Sequence, residues 1–265
     1  MVMTQPLRWL GAGLARYLSR DRPGLETVAT SRPDLLVHAL QPGDVLLVEG
    51  TSRLSGAIKY LTQSTWSHAA LFVGDAIDGD SLSSERRTLI EADVNEGVRA
   101  VSLGLYADYH TRICRPVGLT PEDRARVIEY MTRRIGDQYD LRNIIDLARY
   151  LITTPPVPQR WRRRMLALGS GDPTRAICSS LIAQAFQSVH YPILPDIDVR
   201  AADDDACPGC IEEIHHIRHH TLFAPRDFDV SPFFEIVKPR LLDGFDYRTL
   251  TWSSTTVKGR GQVAG

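Results

Sequence analysis

The sequence has no surplus of charge of either sign. Its 31 Lys and Arg stand against 32 Asp and Glu, a formal net charge of -1, so no global field draws it toward nucleic acid or an anionic membrane. Long apolar runs are also absent. The longest, such as Val45 to Val48, fall far short of the roughly 20 apolar residues that a membrane-crossing helix needs. A secretion signal is lacking too, because Arg16 interrupts the apolar stretch near the N-terminus and no small-residue cleavage site follows. Cysteine is sparse: Cys114, Cys178, Cys207 and Cys210. Four thiols could pair as two disulfides, but without an export signal a reducing, cytoplasmic setting is expected, and each thiol needs its own explanation.

What is present suits one globular unit. A chain of 265 residues with 43% hydrophobic content can bury one substantial core with a small appendage. Residues 1–40 read as a lead-in, with Leu7, Leu10, Leu14, Tyr17 and Leu18 on one face of a short amphipathic helix. That helix either docks on the domain or touches a membrane surface.

Residues 41–240 form the main domain. Gln41-Pro42-Gly43-Asp44 is a turn leading to a buried strand over Val45–Val48. Ser52 to Thr62 has helical spacing, and His68 to Val73 is strand-like. Further strands are expected over Thr88–Ala92, Val98–Val101 and Arg112–Arg115, with Asp78–Ser84 as a polar loop. Thr120-Pro121-Glu122-Asp123 opens a helix running to about Ile135.

A second helix is expected over Leu141–Leu151, then an excursion with the basic run Arg160 to Arg164, read as solvated surface. An apolar helix covers Ile177–Val189, an irregular Asp-, Cys- and His-rich insertion spans 195–220, and a turn from Pro225 leads to a strand over Phe233–Val237. Residues 241–265 are a polar tail. Strands with short helices, then helices, then a last strand indicate an α+β fold.

Three residues stand out chemically. Cys178 falls at a helix start, where the helix dipole favours a thiolate and free backbone N–H groups, its own and that of Ser179, could hold an oxyanion. The competing reading is a small core residue. His68 begins an apolar strand, and a strand-end histidine bonded to a neighbour is the plainer explanation. Glu91 places a carboxylate within an apolar strand, which is costly unless it is paired with an imidazole or an arginine.

The order of these residues resembles a known family. Gly43-Asp44 before a strand, Ser67-His68 opening the next, Ile90-Glu91-Ala92 with Gly97-Val98 after it, and Cys178-Ser179-Ser180 on a helix are similar to the YaeF/YiiX group of permuted NlpC-type cysteine peptidases. Gly136 to Asp140 resembles that group's G-x-x-Y-D element, and Ala224 to Phe233 its closing element. The resemblance spans about Pro42 to Pro239. It implies a circularly permuted papain-like fold, an antiparallel sheet packed on helices, with Cys178 as nucleophile, His68 as base and Glu91 as orienting acid. It also implies that Tyr139 supports the oxyanion, for which a packed core tyrosine is the alternative.

On this basis the expected activity is hydrolysis of a peptide-like or cell-wall-derived amide, with no cofactor required. Two rivals remain. One is a lipid-directed thiol acyltransferase or lipase similar to lecithin:retinol acyltransferase, taking an acyl substrate, with the N-terminal helix making peripheral membrane contact. The other is a non-catalytic binding module. Cys207 and Cys210 with His215 and His219 depart from the family pattern and form a candidate structural zinc set, against a redox-active pair or a metal-free loop.

Overall fold

A computed structural model describes residues 13, 17–21, 29, 33–79, 86–138, 177–201, 211–239, 246–249 and 251. The Leu141–Leu151 helix, the basic run, Tyr139, Cys207 and Cys210 lie outside the described residues.

Six strands make one antiparallel sheet: β1 (Val45–Val48), β2 (His68–Phe72), β3 (Arg87–Asp93), β4 (Gly97–Ser102), β5 (Thr111–Pro116) and β8 (Phe234–Val237), in the order β4-β3-β2-β1-β5-β8. The continuous apolar run of β1 puts it at the centre, paired with β2 on one side and β5 on the other. All four of its side chains are buried. Both faces of the sheet are therefore covered.

On one face, Val45, Leu47, Ala69, Leu71, Ile90 and Ala92 pack on α4 (Ile177–Gln187) through Leu181, Ile182, Ala185 and Phe186. On the other, Leu46, Val48, Ala70, Leu89 and Ile113 join Leu36 of α1 (Pro33–Ala39) and Tyr106. Each fully buried Leu, Ile or Phe contributes about 1.5–3 kcal/mol relative to exposure. The aromatic corner of Phe186, Phe228, Phe234 and Tyr191, with ring centroids 5.3–6.4 Å apart, secures α4 to the sheet's β8 edge.

Helix signals explain the other elements. Ser52 caps α2 (Arg53–Thr62) by accepting from the Ser55 N–H, and Thr120 caps α3 (Pro121–Thr132) by accepting from the Asp123 N–H. The α3 helix ends at Thr132 rather than near Ile135, since the chain continues in turns to Gly136, whose φ is +95°.

Two expectations are corrected. The 195–220 stretch is not irregular throughout. β6 (Asp196–Ala201) and β7 (Ile211–His216) pair as a separate antiparallel ribbon. Its apolar members Ile197 and Val199 alternate with Asp196 and Asp198 but stay exposed, so the period of two lacked the buried face that usually reveals it. The segment after Ala224 is a short helix, α5 (Pro225–Val230), rather than a turn. Proline at its first position and the Asp227 carboxylate accepting from the Ala224 N–H at 2.9 Å supply the start signal.

Residues 17–21 cross the α2 start. Leu18 is 2% exposed within the core, Arg53 lies over the Tyr17 ring at 4.2 Å, and Asp21 bridges Ser52 while accepting from the Thr51 hydroxyl at 2.6 Å. Leu18 and Asp21 thus tie residues 17–21 to the domain, while Leu7, Leu10 and Leu14 lie outside the described residues. Among the described residues no helix is long and apolar enough to cross a membrane.

Candidate active site

His68 is the first residue of β2, and the chain just before it is tightly held. Trp66 is buried, and the Ser67 hydroxyl accepts from the Gly50 N–H at 2.9 Å. Strand alternation puts His68 on the face of Ala70 and Phe72, and Glu91 on the face of Leu89 one strand away. The two meet. His68 Nε2 lies 2.8 Å from Glu91 Oε2. Cys178, at the start of α4, comes in from the opposite layer, lines the same cavity as His68, and its sulfur acts electrostatically on the same imidazole. With Nε2 engaged by the carboxylate, Nδ1 is the nitrogen left to exchange a proton with the thiol.

Electrostatics follow from this contact. Burial works against a charged imidazole, but the Cys178 sulfur and the Glu91 carboxylate outweigh it and hold His68 well above its ordinary value. Burial likewise opposes ionisation of Glu91. His68, the Tyr106 hydroxyl and Arg99 overcome that and bring the carboxyl down to about 2. Cys114, by contrast, is a structural thiol in β5 that burial pushes far up, out of reach of thiolate chemistry.

Sequence reasoning did not single out two residues of this site. Arg99 stands directly opposite Glu91 in the β3–β4 register and donates to Oε1 through Nε at 2.9 Å and Nη2 at 2.8 Å. Tyr106, on the 3-10 turn after β4, donates its hydroxyl to Glu91 Oε2, the oxygen that His68 also uses. The Arg99 signal was present in the hairpin: with the turn at Asn95-Glu96, residues 91 and 99 face each other. The two readings weighed for Glu91, imidazole partner and arginine partner, are both realised. Asp93 turns to the hairpin instead, where Oδ1 accepts from the Asn95 and Glu96 N–H groups at 2.8 and 3.0 Å.

A cavity of about 320 Å³ opens on His68, Glu91 and Cys178, walled by Thr51 and Ser55 of the α2 start and Asp21 of the N-terminal segment. Ser179 is fully buried, and its hydroxyl donates to the Phe223 carbonyl at 2.7 Å. The Ser179 side chain thus anchors α4, and any oxyanion support from this residue falls to its backbone N–H.

The zinc candidates are only half placed. His215 is exposed on β7 with its ring 6.4 Å from Phe233, and the His219 ring bonds Thr221 at 2.7 Å. Among the described residues no group of three or more His, Cys, Asp or Glu is arranged to hold a metal.

Residues 39–150 match the model of the permuted papain-like amidase family YaeF/YiiX, C92. That stretch, under half of the chain, is similar to the YaeF/YiiX group. The chain is 23% identical over 170 residues to the probable lipoprotein peptidase YaeF of Escherichia coli (strain K12), covering 58% of this chain and 58% of that protein. The chain therefore spans a little under three fifths of the length of that relative. A crystal structure of metalloprotein YiiX from Escherichia coli O157:H7 aligns with a TM-score of 0.43 at 16% identity, over 76% of this chain and 98% of that one. Permuted papain-like enzymes of the YaeF/YiiX group are amidases by family description, and the antiparallel sheet and α4 fit the α+β fold expected of them.

Proposed function

We propose that this chain is a cysteine hydrolase that cleaves an amide bond of a peptide-like or cell-wall-derived substrate. The observation that carries the reading is an imidazole bonded to a buried carboxylate in the cavity that the Cys178 sulfur also lines. His68 takes the thiol proton, and the thiolate attacks the substrate carbonyl carbon. The backbone N–H groups at the start of α4 face the developing oxyanion. As the tetrahedral adduct collapses, the imidazolium gives its proton to the leaving amine and a thioester remains on Cys178. Water then gives a proton to His68, adds to the thioester carbonyl, and the thiol leaves with that proton as a carboxylic acid is released. Glu91 stays ionised throughout and orients the ring. No cofactor enters these steps.

The cavity beside the thiol carries apolar side chains, Leu54, Ile58, Val94 and Leu105, together with hydrogen-bonding ones, Asp21, Thr51 and Ser55, and the second set offers partners that the N–H and C=O of an amide can use. Leu18, which the membrane reading would turn toward lipid, is buried in the protein core instead. The test is a paired profile of short peptide amides and phospholipid or thioester substrates, with mass spectrometry of Cys178 during turnover. Amide cleavage with an acyl adduct on Cys178, lost in Cys178→Ala and His68→Ala, is the expected result. Turnover that survives Cys178→Ala, or that is confined to lipid esters, would overturn it.

A further inference from the structure

Glu91 has more partners than orienting one imidazole requires. It is 1% exposed, yet each oxygen is committed. Oε1 receives the Arg99 fork at 2.8–2.9 Å, while Oε2 receives both His68 Nε2 and the Tyr106 hydroxyl. Arg99 is itself fixed, with Nη1 2.9 Å from Glu96 and Nη2 3.8 Å from Asp93. Tyr106 is held edge-on by Tyr109, ring centroids 5.9 Å apart.

Resting on the hydrolase reading above, we infer that Arg99 and Tyr106 are positioning residues that temper Glu91: they fix the carboxylate so that Oε2 faces His68, and they weaken its pull on the imidazolium proton. A buried carboxylate facing only an imidazolium would hold its proton strongly, and a proton held too firmly transfers poorly to a leaving amine. A cation bonded to Oε1 withdraws negative potential from the pair, and a second donor on Oε2 competes for the lone pairs that His68 uses. The cation also lowers the total negative charge felt by the Cys178 sulfur. Loss of Arg99 leaves Glu91 ionised, because the imidazolium and the Tyr106 hydroxyl still support it.

This charge arrangement has a signature that a packing role lacks. Among the described residues the titratable groups facing the His68–Cys178 pair are Glu91, Arg99, Tyr106 and, along the cavity wall, Asp21, Asp93 and Tyr109. With Asp21 and Asp93 unchanged, removing the Arg99 charge makes the site more negative, so thiolate formation and imidazolium deprotonation both move to higher pH. Glu91→Gln makes it more positive, so both move lower. The shifts oppose each other.

The experiment measures alkylation of Cys178 by iodoacetamide against pH, read by peptide mass, together with ¹⁵N NMR of the His68 ring assigned by its loss in His68→Asn. Arg99→Met is expected to raise both transitions by about one pH unit, near tenfold in alkylation rate on the acid limb. Arg99→Lys keeps the charge and stays near wild type, and Tyr106→Phe raises the imidazolium transition alone. Should Arg99→Met not fold, Arg99→Gln carries the same charge test.

A loss of rate at every pH with unmoved transitions, or a shift in the direction of Glu91→Gln, would overturn the inference. If instead His68→Ala and Glu91→Gln leave the Cys178 profile unchanged from wild type, the hydrolase reading itself fails.

Discussion

The indole N–H of Trp66 donates to the Asp229 carboxylate at 2.9 Å, joining residues 163 positions apart. Arg112 Nη1 bonds the other carboxylate oxygen at 2.6 Å and lies 4.9 Å over the Trp66 ring. Asp229 on α5 thus holds the chain two residues ahead of His68. Replacing it with alanine strands a buried indole donor, a loss of about 1–3 kcal/mol. Asp229→Asn keeps an acceptor for the indole and costs less. Urea unfolding of both variants checks the order, and an Asp229→Ala protein as stable as wild type would refute it.

Gly97 has φ +76°, and a Cβ there would lie 2.3 Å from the Asp137 carbonyl oxygen. That carbonyl is backbone and accepts from the Val98 N–H at 3.0 Å, so it cannot swing aside. Gly97→Ala therefore combines a left-handed conformation with a backbone clash, and we expect a loss of at least about 2 kcal/mol. Because Gly97 closes the hairpin that sets Glu91 opposite Arg99, the proposed hydrolysis should fall even at temperatures where the variant is folded. Thermal unfolding paired with rate measurement tests both parts.

The sequence made the sheet legible because its signals are local, while His68, Glu91 and Cys178 stood out only by their order along the chain, since each alone had a plainer reading. The apolar run of β1 and the turn chemistry at Gly43-Asp44 each pointed one way, and a carboxylate set among Leu89, Ile90 and Ala92 called for a partner, an imidazole or an arginine. Arg99 was harder to read, since its role depends on strand register and not on its neighbours in sequence. Tyr106 was hidden for a different reason. A tyrosine in a short polar-bounded turn looks like ordinary packing until the turn is seen to fold back onto Glu91. The β6–β7 ribbon escaped notice because pattern reading relies on a buried face, which Ile197 and Val199 do not provide.

Glu91 also makes stability depend on pH. Its carboxyl sits at about 2 in the folded protein against an ordinary value of 4.5. A depressed folded-state value means that the stabilisation is fully present above about 4.5 and is lost as pH falls from there toward 2. A displacement of that size corresponds to about 3 kcal/mol for a group this deeply buried. The stability gap between wild type and Glu91→Gln, measured by urea unfolding, should be largest near neutral pH and shrink through this acid window. A gap that stays constant down to the bottom of the window would show that the Glu91 charge contributes little.

The N-terminal segment tests whether a cavity wall can be loosened without touching the reacting groups. Leu18 is 2% exposed and packs in the same core as Val45, Trp66 and Leu181, while Ser19 and Asp21 beside it face the cavity. Leu18→Ala removes buried methyl groups and should cost about 2–5 kcal/mol, the spread reflecting how far the site can collapse. The contacts that fix the wall, Thr51 to Asp21 at 2.6 Å and Asn95 to Ser19 at 2.8 Å, then have a less rigid anchor. His68, Glu91 and Cys178 keep their own partners, so under the proposed function KM for a peptide amide should rise while kcat changes little. A fall in kcat at unchanged KM would mean instead that the segment acts on the thiol–imidazole pair and not on the substrate.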